Sequence, residues 1–263
     1  MKDNILDNET INLLNNRKTI RSYKAKPINF EEEKIIFDAA IRAPTAGNLM
    51  LYSILKITDQ KLKEKLAVSC DNQPHIAKAP LILIFLADVQ RWWKYFEICK
   101  VQQKCVKLNN NFEKPQESDL LLACCDALIA AQNAVIAAEA LGIGSCYIGD
   151  IMENYEYHLE ILKLPQWVFP ITLVCFGYPK GEKNKRTLTS RFPQKYIVHE
   201  NIYHQLNEND YEEMFKGVER KRIIKFAENL GQQIYFEKLG ADFSKEMRRS
   251  VKVALSNWLN KSQ

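Results

Sequence analysis

The sequence predicts an α+β protein with few strands and large helices. Two observations carry this. Four segments have strand length, 52–58, 81–87, 146–148 and 171–176, and 81–87 is an unbroken apolar run between Pro80 and Asp88. The chain between and beyond them has helical character, with no internal repeat and no linker rich in Gly, Pro or Ser.

In order along the chain, residues 9–16 read as a short helix feeding a basic loop, Arg17 to Lys26, closed by Pro27. Asn29 stands three residues before Glu32, a capping-box start, and Ile35, Ile36, Ala39 and Ala40 form the apolar face of a helix that Pro44 ends. A loop at 45–50 leads into the strand at 52–58, and a polar helix follows at 61–70. After the buried strand, 89–105 carries Trp92, Trp93, Tyr95 and Phe96 and reads as one helix, then a polar loop. Residues 120–141 form the longest helix. Its eight alanines, on nearly every face, require close packing on several sides, as in a central or interface helix. Gly142 and Gly144 stop it before the strand at 146–148. A helix at 154–162, a buried strand at 171–176, a Gly177-Tyr-Pro turn and a basic loop at 180–195 follow. From Tyr211 the pattern is helical and charged. Ser244 is the expected cap of a last helix with apolar positions Met247, Val251, Leu255 and Trp258. One domain with a helical C-terminal extension is the simplest division.

Bulk properties narrow the class. The 263 residues are 46% hydrophobic and 26% charged, which suits a globular chain and argues against disorder. No apolar run approaches the roughly 20 residues needed to span a bilayer, and the polar N-terminus lacks the features of a secretory signal. A cytoplasmic protein is expected. Seven cysteines at irregular positions, with no C-x-x-C pair, read as reduced, partly buried thiols. The four histidines have no zinc-ligand spacing, so no metal is expected. The net charge of +5 is mild and spread out, unlike the basic stripe of a nucleic-acid binder.

Four features bear on chemistry. Arg17-Lys-Thr-Ile-Arg21 puts three cations and a hydroxyl within five residues, enough to clamp a phosphate, though a solvated basic loop is the ordinary reading of such a pentapeptide. A second basic cluster contains Lys183, Lys185, Arg186 and Arg191; the two loops can converge on one phosphate. Ala43-Pro-Thr-Ala-Gly-Asn48 is a turn of small residues that lets backbone approach a flat ligand, or simply joins helix to strand. Gly142-Ile-Gly-Ser-Cys-Tyr-Ile-Gly149 lacks the dinucleotide fingerprint and reads as a helix stop plus a strand. No Walker loop, Gly-x-Ser-x-Gly elbow or Cys–His pair is present. A phosphate clamp without catalytic side chains points to chemistry carried by a bound cofactor.

In this order and spacing, the segments resemble the nitroreductase family, and within it the NADPH-dependent nitroreductase and flavin reductase branch. The likeness runs from about Asn12 to Tyr203. It rests on Arg17-Lys-Thr-Ile-Arg-Ser-Tyr, Ala43-Pro-Thr-Ala-Gly-Asn-Leu, Asp126-Ala-Leu-Ile-Ala-Ala-Gln-Asn-Ala, Ala137-Ala-Glu-Ala-Leu-Gly-Ile-Gly, Tyr147-Ile-Gly, Leu162-Lys-Leu-Pro, Phe176-Gly-Tyr-Pro and Arg191-Phe-Pro. The resemblance implies a central mixed β-sheet surrounded by helices, in an intertwined homodimer with two FMN sites at its interface. It implies an FMN-binding domain over 1–205, with 206–263 its helical extension. Arg17, Lys18, Thr19 and Arg21, with Arg191, would hold the FMN phosphate and ribityl chain. Thr45 and Gly47 would lie along the flavin edge, Gln73 would contact the ring system, and Tyr147, Ile148 and Gly149 would line the isoalloxazine. A preformed backbone donor near Gly149 would stabilise charge arriving at N5.

The implied activity is ping-pong hydride transfer from NADPH or NADH through FMN to a small-molecule acceptor: a nitroaromatic, a quinone or a free flavin. No side chain serves as a catalytic nucleophile. Arg220 and Arg222, flanking Lys221, would meet the 2′-phosphate of NADPH, or else form a solvated helix face. A dedicated flavin reductase and a non-catalytic FMN-binding or sensing protein are the alternatives. Three departures bear on this choice. Met50 stands where many relatives carry Gln, Asp150 where a second Gly is common, and Thr189-Ser190 where Lys-Pro is common. A carboxylate at position 150 would disfavour an anionic reduced flavin.

Overall fold

The computed structural model describes residues 8–181, 188–218 and 223–259. They divide into two compact units, one formed by 8–181 with 242–259, the other by 188–218 with 223–241.

The first unit is built on a four-stranded sheet of β1 (Tyr52–Ile57), β2 (Leu81–Asp88), β3 (Gly144–Ile148) and β4 (Val168–Gly177), in the order β1-β2-β4-β3. All three pairings are antiparallel. The parallel component expected of a mixed sheet is confined, among the described residues, to a bridge between Thr19 and Ser145. β2 is buried along its whole length, as its unbroken apolar run requires of a central strand. β4 begins three residues before the expected 171. Pro170 sits at an irregularity of the β2–β4 register, where a missing N–H is tolerated, so the strand continues through it.

Helices cover both faces. α1 (Glu9–Asn16) is capped by the Asn8 side chain, and α2 (Phe30–Ile41) starts at the capping box between Asn29 and Glu32. α3 (Gln60–Ser69) is capped by Asp59 and is followed by the single turn α4 (Pro74–Ala77). The expected helix at 89–105 is two helices, α5 (Gln90–Ile98) and α6 (Val101–Lys107), because Lys100 takes a left-handed φ of 57° that ends the first.

α7 (Glu117–Ala140) is the longest element. Ala123, Ala127, Ala130, Ala131, Ala134 and Ala138 are fully buried, and Ala127 to Ala138 share a core with Leu83 and Phe85 of β2 and Val174 and Phe176 of β4. By length and composition α7 is also apolar enough to cross a membrane, which corrects the sequence expectation that no such stretch exists. Scattered polar residues (Asp126, Gln132 and Asn133) hid it from a search for unbroken runs; its packing on the sheet accounts for the alanines.

α8 (Tyr155–Leu162) and α11 (Asp242–Trp258) close the other end of this unit. α11 begins two residues before Ser244, which therefore lies within its first turn and is not the cap. Ser250, Ala254 and Trp258, four residues apart, form its buried stripe. The Ser250 hydroxyl accepts from the Tyr155 N–H at 3.1 Å, and the Trp258 indole donates to the Gln116 carbonyl at 3.0 Å.

The second unit contains α9 (Glu208–Phe215) and α10 (Leu230–Ile234), the latter running into a wider turn at Tyr235–Leu239. Phe192 packs edge-on against Phe215, as Phe226 does against Phe236. Lys195 pairs with Glu213 at 2.8 Å.

Candidate functional site

The basic segment after α1 is not a free loop. Ile20 donates its N–H to Ser145 O on β3 at 2.9 Å, Lys24 donates to Tyr178 O at 2.8 Å, and Lys180 donates to Ser22 O at 2.9 Å. Residues 19–24 are thus stitched along β3 and the end of β4. Glycine makes this possible at two places. A Cβ on Gly144 would stand 2.4 Å from Ile20 Cγ1, and one on Gly177 would stand 2.7 Å from the Tyr23 ring. The fully buried Ile20 is the peg, which leaves Arg17 and Lys18 half-buried and Thr19 and Arg21 exposed around it.

The charges of this strap converge on β3. Burial raises the Cys146 thiol pKa, and Arg21 and then Arg17 oppose the rise. Burial lifts the Tyr147 phenol to about 12, again opposed by Arg17. His75, at the start of α4, is held below the usual imidazole range by burial and then by Arg21. Its Nε2 is buried without a hydrogen-bond partner. The strap, the start of α4 and β3 therefore meet in one region, with Arg17 and Arg21 on its strap side.

Gly149 opens the turn Gly149–Met152 directly after β3. It is exposed, and a Cβ there would meet nothing within 4 Å. Neither left-handed backbone nor protein crowding requires glycine here, and this face of the turn is open. Tyr147 points the other way, towards α7, where its hydroxyl donates to Gln132 Oε1 at 3.1 Å. Ile148 is buried in the core under α3.

Gln73 joins the same region. Its Nε2 donates to Asp150 Oδ2 at 2.6 Å and to Cys70 O at 3.0 Å.

Thr45 and Gly47 are held by a different anchor. Asp126 is buried in the middle of α7 and accepts from the Thr45 hydroxyl, from Ala46 N–H at 3.0 Å and from Leu51 N–H at 3.1 Å. Thr45 Oγ1 in turn accepts from Met50 N–H at 2.8 Å. Gly47 has a left-handed φ of 55° within this turn, and only the Leu49 side chain lies near its missing Cβ. Sequence reasoning did not single out Asp126 as functional; a carboxylate in the middle of an alanine-rich apolar helix was the signal.

Arg191 belongs to the second unit, where its guanidinium donates to the Thr189 and Ser190 carbonyls at 3.3 and 3.2 Å. Arg220 and Arg222, with Lys221, lie outside the described residues, as do Lys183, Lys185 and Arg186. Among the described residues no group of His, Cys, Asp or Glu side chains has the arrangement of a metal site. All seven cysteines are free thiols.

Comparison with known proteins gives the site a context. The nitroreductase family pattern matches residues 14–178. An oxygen-insensitive NADPH nitroreductase of Salmonella typhimurium is 35% identical over 199 residues, 76% of each chain. An FMN reductase [NAD(P)H] of Bacillus subtilis is 30% identical over 250 residues, covering 91% of this chain and 96% of its own. The structure of an NADPH:FMN oxidoreductase from Vibrio harveyi in complex with NAD+ superposes with a TM-score of 0.74 at 25% identity, covering 94% of this chain and 98% of that one.

Proposed function

The chain belongs to the nitroreductase family, and from this we infer that it is an FMN-dependent oxidoreductase that takes electrons from NAD(P)H. Bound in this site, FMN would supply hydride transfer between the nicotinamide donor and a nitroaromatic, a quinone or a free flavin. The protein's own residues bind and orient. Arg17, Lys18, Thr19 and Arg21 meet the phosphate and ribityl chain, from a strap pegged to β3 by Ile20. Gln73 and the backbone of Tyr147, Ile148 and Gly149 face the ring, and Thr45 and Gly47 its edge. The observation that carries this reading is the cationic Arg17–Arg21 strap, pegged along β3, which runs directly into the open turn at Gly149.

The working unit is a homodimer. Leu121, Leu122, Leu128 and Ile129 of α7 are 40–67% exposed, and Cys125 is exposed between them. Their spacing of three and four residues makes one apolar stripe, opposite the face that packs on the sheet. An unburied stripe of this kind on a core helix calls for a second copy. The cytoplasm is the compartment that suits seven free thiols and a soluble nicotinamide donor.

An absorbance spectrum of the purified protein, before and after anaerobic NADPH or NADH, tests the assignment. Flavin bands that bleach support an oxidoreductase, and the faster donor identifies the coenzyme. Flavin that is held but not bleached favours a binding or sensing role. A protein that takes up no FMN overturns the reading.

A further inference from the structure

Asp150 and Glu153 sit behind Gln73 in an arrangement that its contact with a flavin does not by itself require. Gln73 Nε2 lies between two pure acceptors, the Asp150 carboxylate at 2.6 Å and the Cys70 carbonyl at 3.0 Å. Both amide hydrogens are therefore consumed, and the opposite orientation would set the amide oxygen against two oxygens. Gln73 is locked with Oε1 as its only free polar atom. It offers a ligand an acceptor and never a donor.

Asp150 is itself supported from behind. Glu153, at the end of the same turn, is only 4% exposed, and its Oε1 has no hydrogen-bond partner. Its N–H donates to the Asp150 carbonyl at 3.0 Å, which holds the two acidic residues together on one turn. Burial, the Asp150 carboxylate beside it, and the charges of Asp71 and Glu246 raise its pKa to about 8. The other groups around it do not reverse this. Glu246, on α11, is neutralised by Arg249 at 2.8 Å, and His158, which bonds Ile151 O and Ser69, is pushed towards its neutral form by burial. The Cys70 thiol is driven upward by burial and by both Asp150 and Glu153, so it stays neutral. A buried carboxyl group beside another carboxylate keeps its proton, because ionising it there is costly.

We propose that Asp150 is a positioning residue that fixes Gln73 as an acceptor towards the bound flavin, and that the proton held by Glu153 keeps Asp150 in place. This rests on the reading that Gln73 contacts the ring. The acceptor matches a ring N–H, which the oxidised isoalloxazine has only at N3. When Glu153 ionises, the two carboxylates repel. Asp150 is the half-exposed partner and swings towards solvent, releasing the Gln73 amide to turn. Flavin affinity then falls as pH rises, even though the phosphate clamp is unchanged.

The test is the dissociation constant of the flavin-free protein for FMN and, separately, riboflavin, read by flavin fluorescence at about pH 7 and about pH 9. For both ligands, affinity of the wild type is expected to weaken about threefold to tenfold across this range. Glu153→Gln, which stays neutral and can still donate to Asp150, is expected to change less than about twofold. Asp150→Gly, which frees Gln73, is expected to bind more weakly than wild type at pH 7 and to lose the pH dependence. Equal pH slopes in wild type and Glu153→Gln, or wild-type affinity in Asp150→Gly, overturn the proposal. A flavin-independent readout runs beside it: a carboxylic-acid C=O infrared band in the flavin-free protein at neutral pH, lost on raising the pH and missing from Glu153→Gln. If that band is found and FMN never binds, the cofactor assignment fails while the carboxyl pair stands. If the band is missing while FMN binds, the pair fails alone.

Discussion

Replacing Gly144 by alanine tests whether the cationic strap is held by the Ile20 peg. The added Cβ would lie 2.4 Å from Ile20 Cγ1, 2.7 Å from its Cβ and 3.2 Å from its Cγ2. Carbon atoms in ordinary contact lie about 3.5–4.0 Å apart, so the peg must retreat by about 1 Å. Ile20 is fully buried and its N–H bonds Ser145 O next to the substitution, so it cannot retreat without lengthening that bond. Overpacking of this kind costs about 1–3 kcal/mol, which lowers Tm by about 2–10 °C for a chain of this size. The displaced strap carries Arg17 and Arg21, so FMN affinity falls with stability. A double-mutant cycle with Ile20→Ala, which removes Cγ1 and Cγ2, isolates the cause. Removing the peg costs about 2–5 kcal/mol on its own, and Gly144→Ala is expected to cost less in its absence, making the pair less than additive. Urea denaturation and flavin titration of the four proteins measure both effects. A Gly144→Ala protein as stable as wild type, or strictly additive costs, refutes the peg.

Four further outcomes are expected. Arg17→Ala with Arg21→Ala weakens FMN about tenfold to a hundredfold, from the loss of charge-assisted bonds, while riboflavin affinity, lacking the phosphate, moves less than about twofold; fluorescence titration compares the two. Asp126→Ala leaves three donors without their acceptor and costs about 3 kcal/mol in urea denaturation, whereas Asp126→Asn keeps one oxygen and costs less. Leu128→Asp places a charge in the exposed stripe of α7 and shifts the protein from dimer to monomer in light scattering. Glu246, held at about 2 by hydrogen bonds from Arg249 and Ser250, has a folded pKa below its unfolded value. Its stabilisation is present above about pH 4.5 and disappears as pH falls towards 2. It is less than about 1 kcal/mol because the pair with Arg249 is largely exposed, and wild type and Glu246→Gln should converge in acid.

Much of the architecture is legible in the sequence because local chemistry decides it. Asn29 and Glu32 start α2, an unbroken apolar run makes β2, and small side chains put α7 against the sheet. What escaped was decided elsewhere in the chain. Pro170 argues against a strand until one knows that it falls at a register shift. The aromatic-rich stretch after β2 keeps helical character on both sides of Lys100, and only the backbone angle there reveals two helices. In the site, Arg17–Arg21 was visible as a charge cluster, but its stitching to β3 depends on glycines more than a hundred residues away. Asp150 stood out only as a departure; its grip on Gln73 joins residues 77 positions apart and has no local signature.

The anchoring of the two groups of candidate flavin residues bears on what the proposed dimer would do for this chain. Arg17–Arg21, Gln73 and Gly149 are organised around β3, through the peg at Ser145 and the lock at Asp150. Thr45 and Gly47 are organised around Asp126, on α7, by three bonds that leave the turn little freedom of its own. Asp126 is buried, yet Cys125, Leu122 and Ile129 on the same helix are exposed. The turn is therefore fixed to the element that presents the apolar stripe. A second copy docking on that stripe meets a turn whose position is already set, so association can bring a flavin-edge segment to a neighbouring strap without refolding either. On this reading Leu128→Asp, which touches neither group of residues, lowers flavin affinity together with dimerisation. A monomeric Leu128→Asp protein that binds FMN as tightly as wild type would mean that each chain completes its site alone.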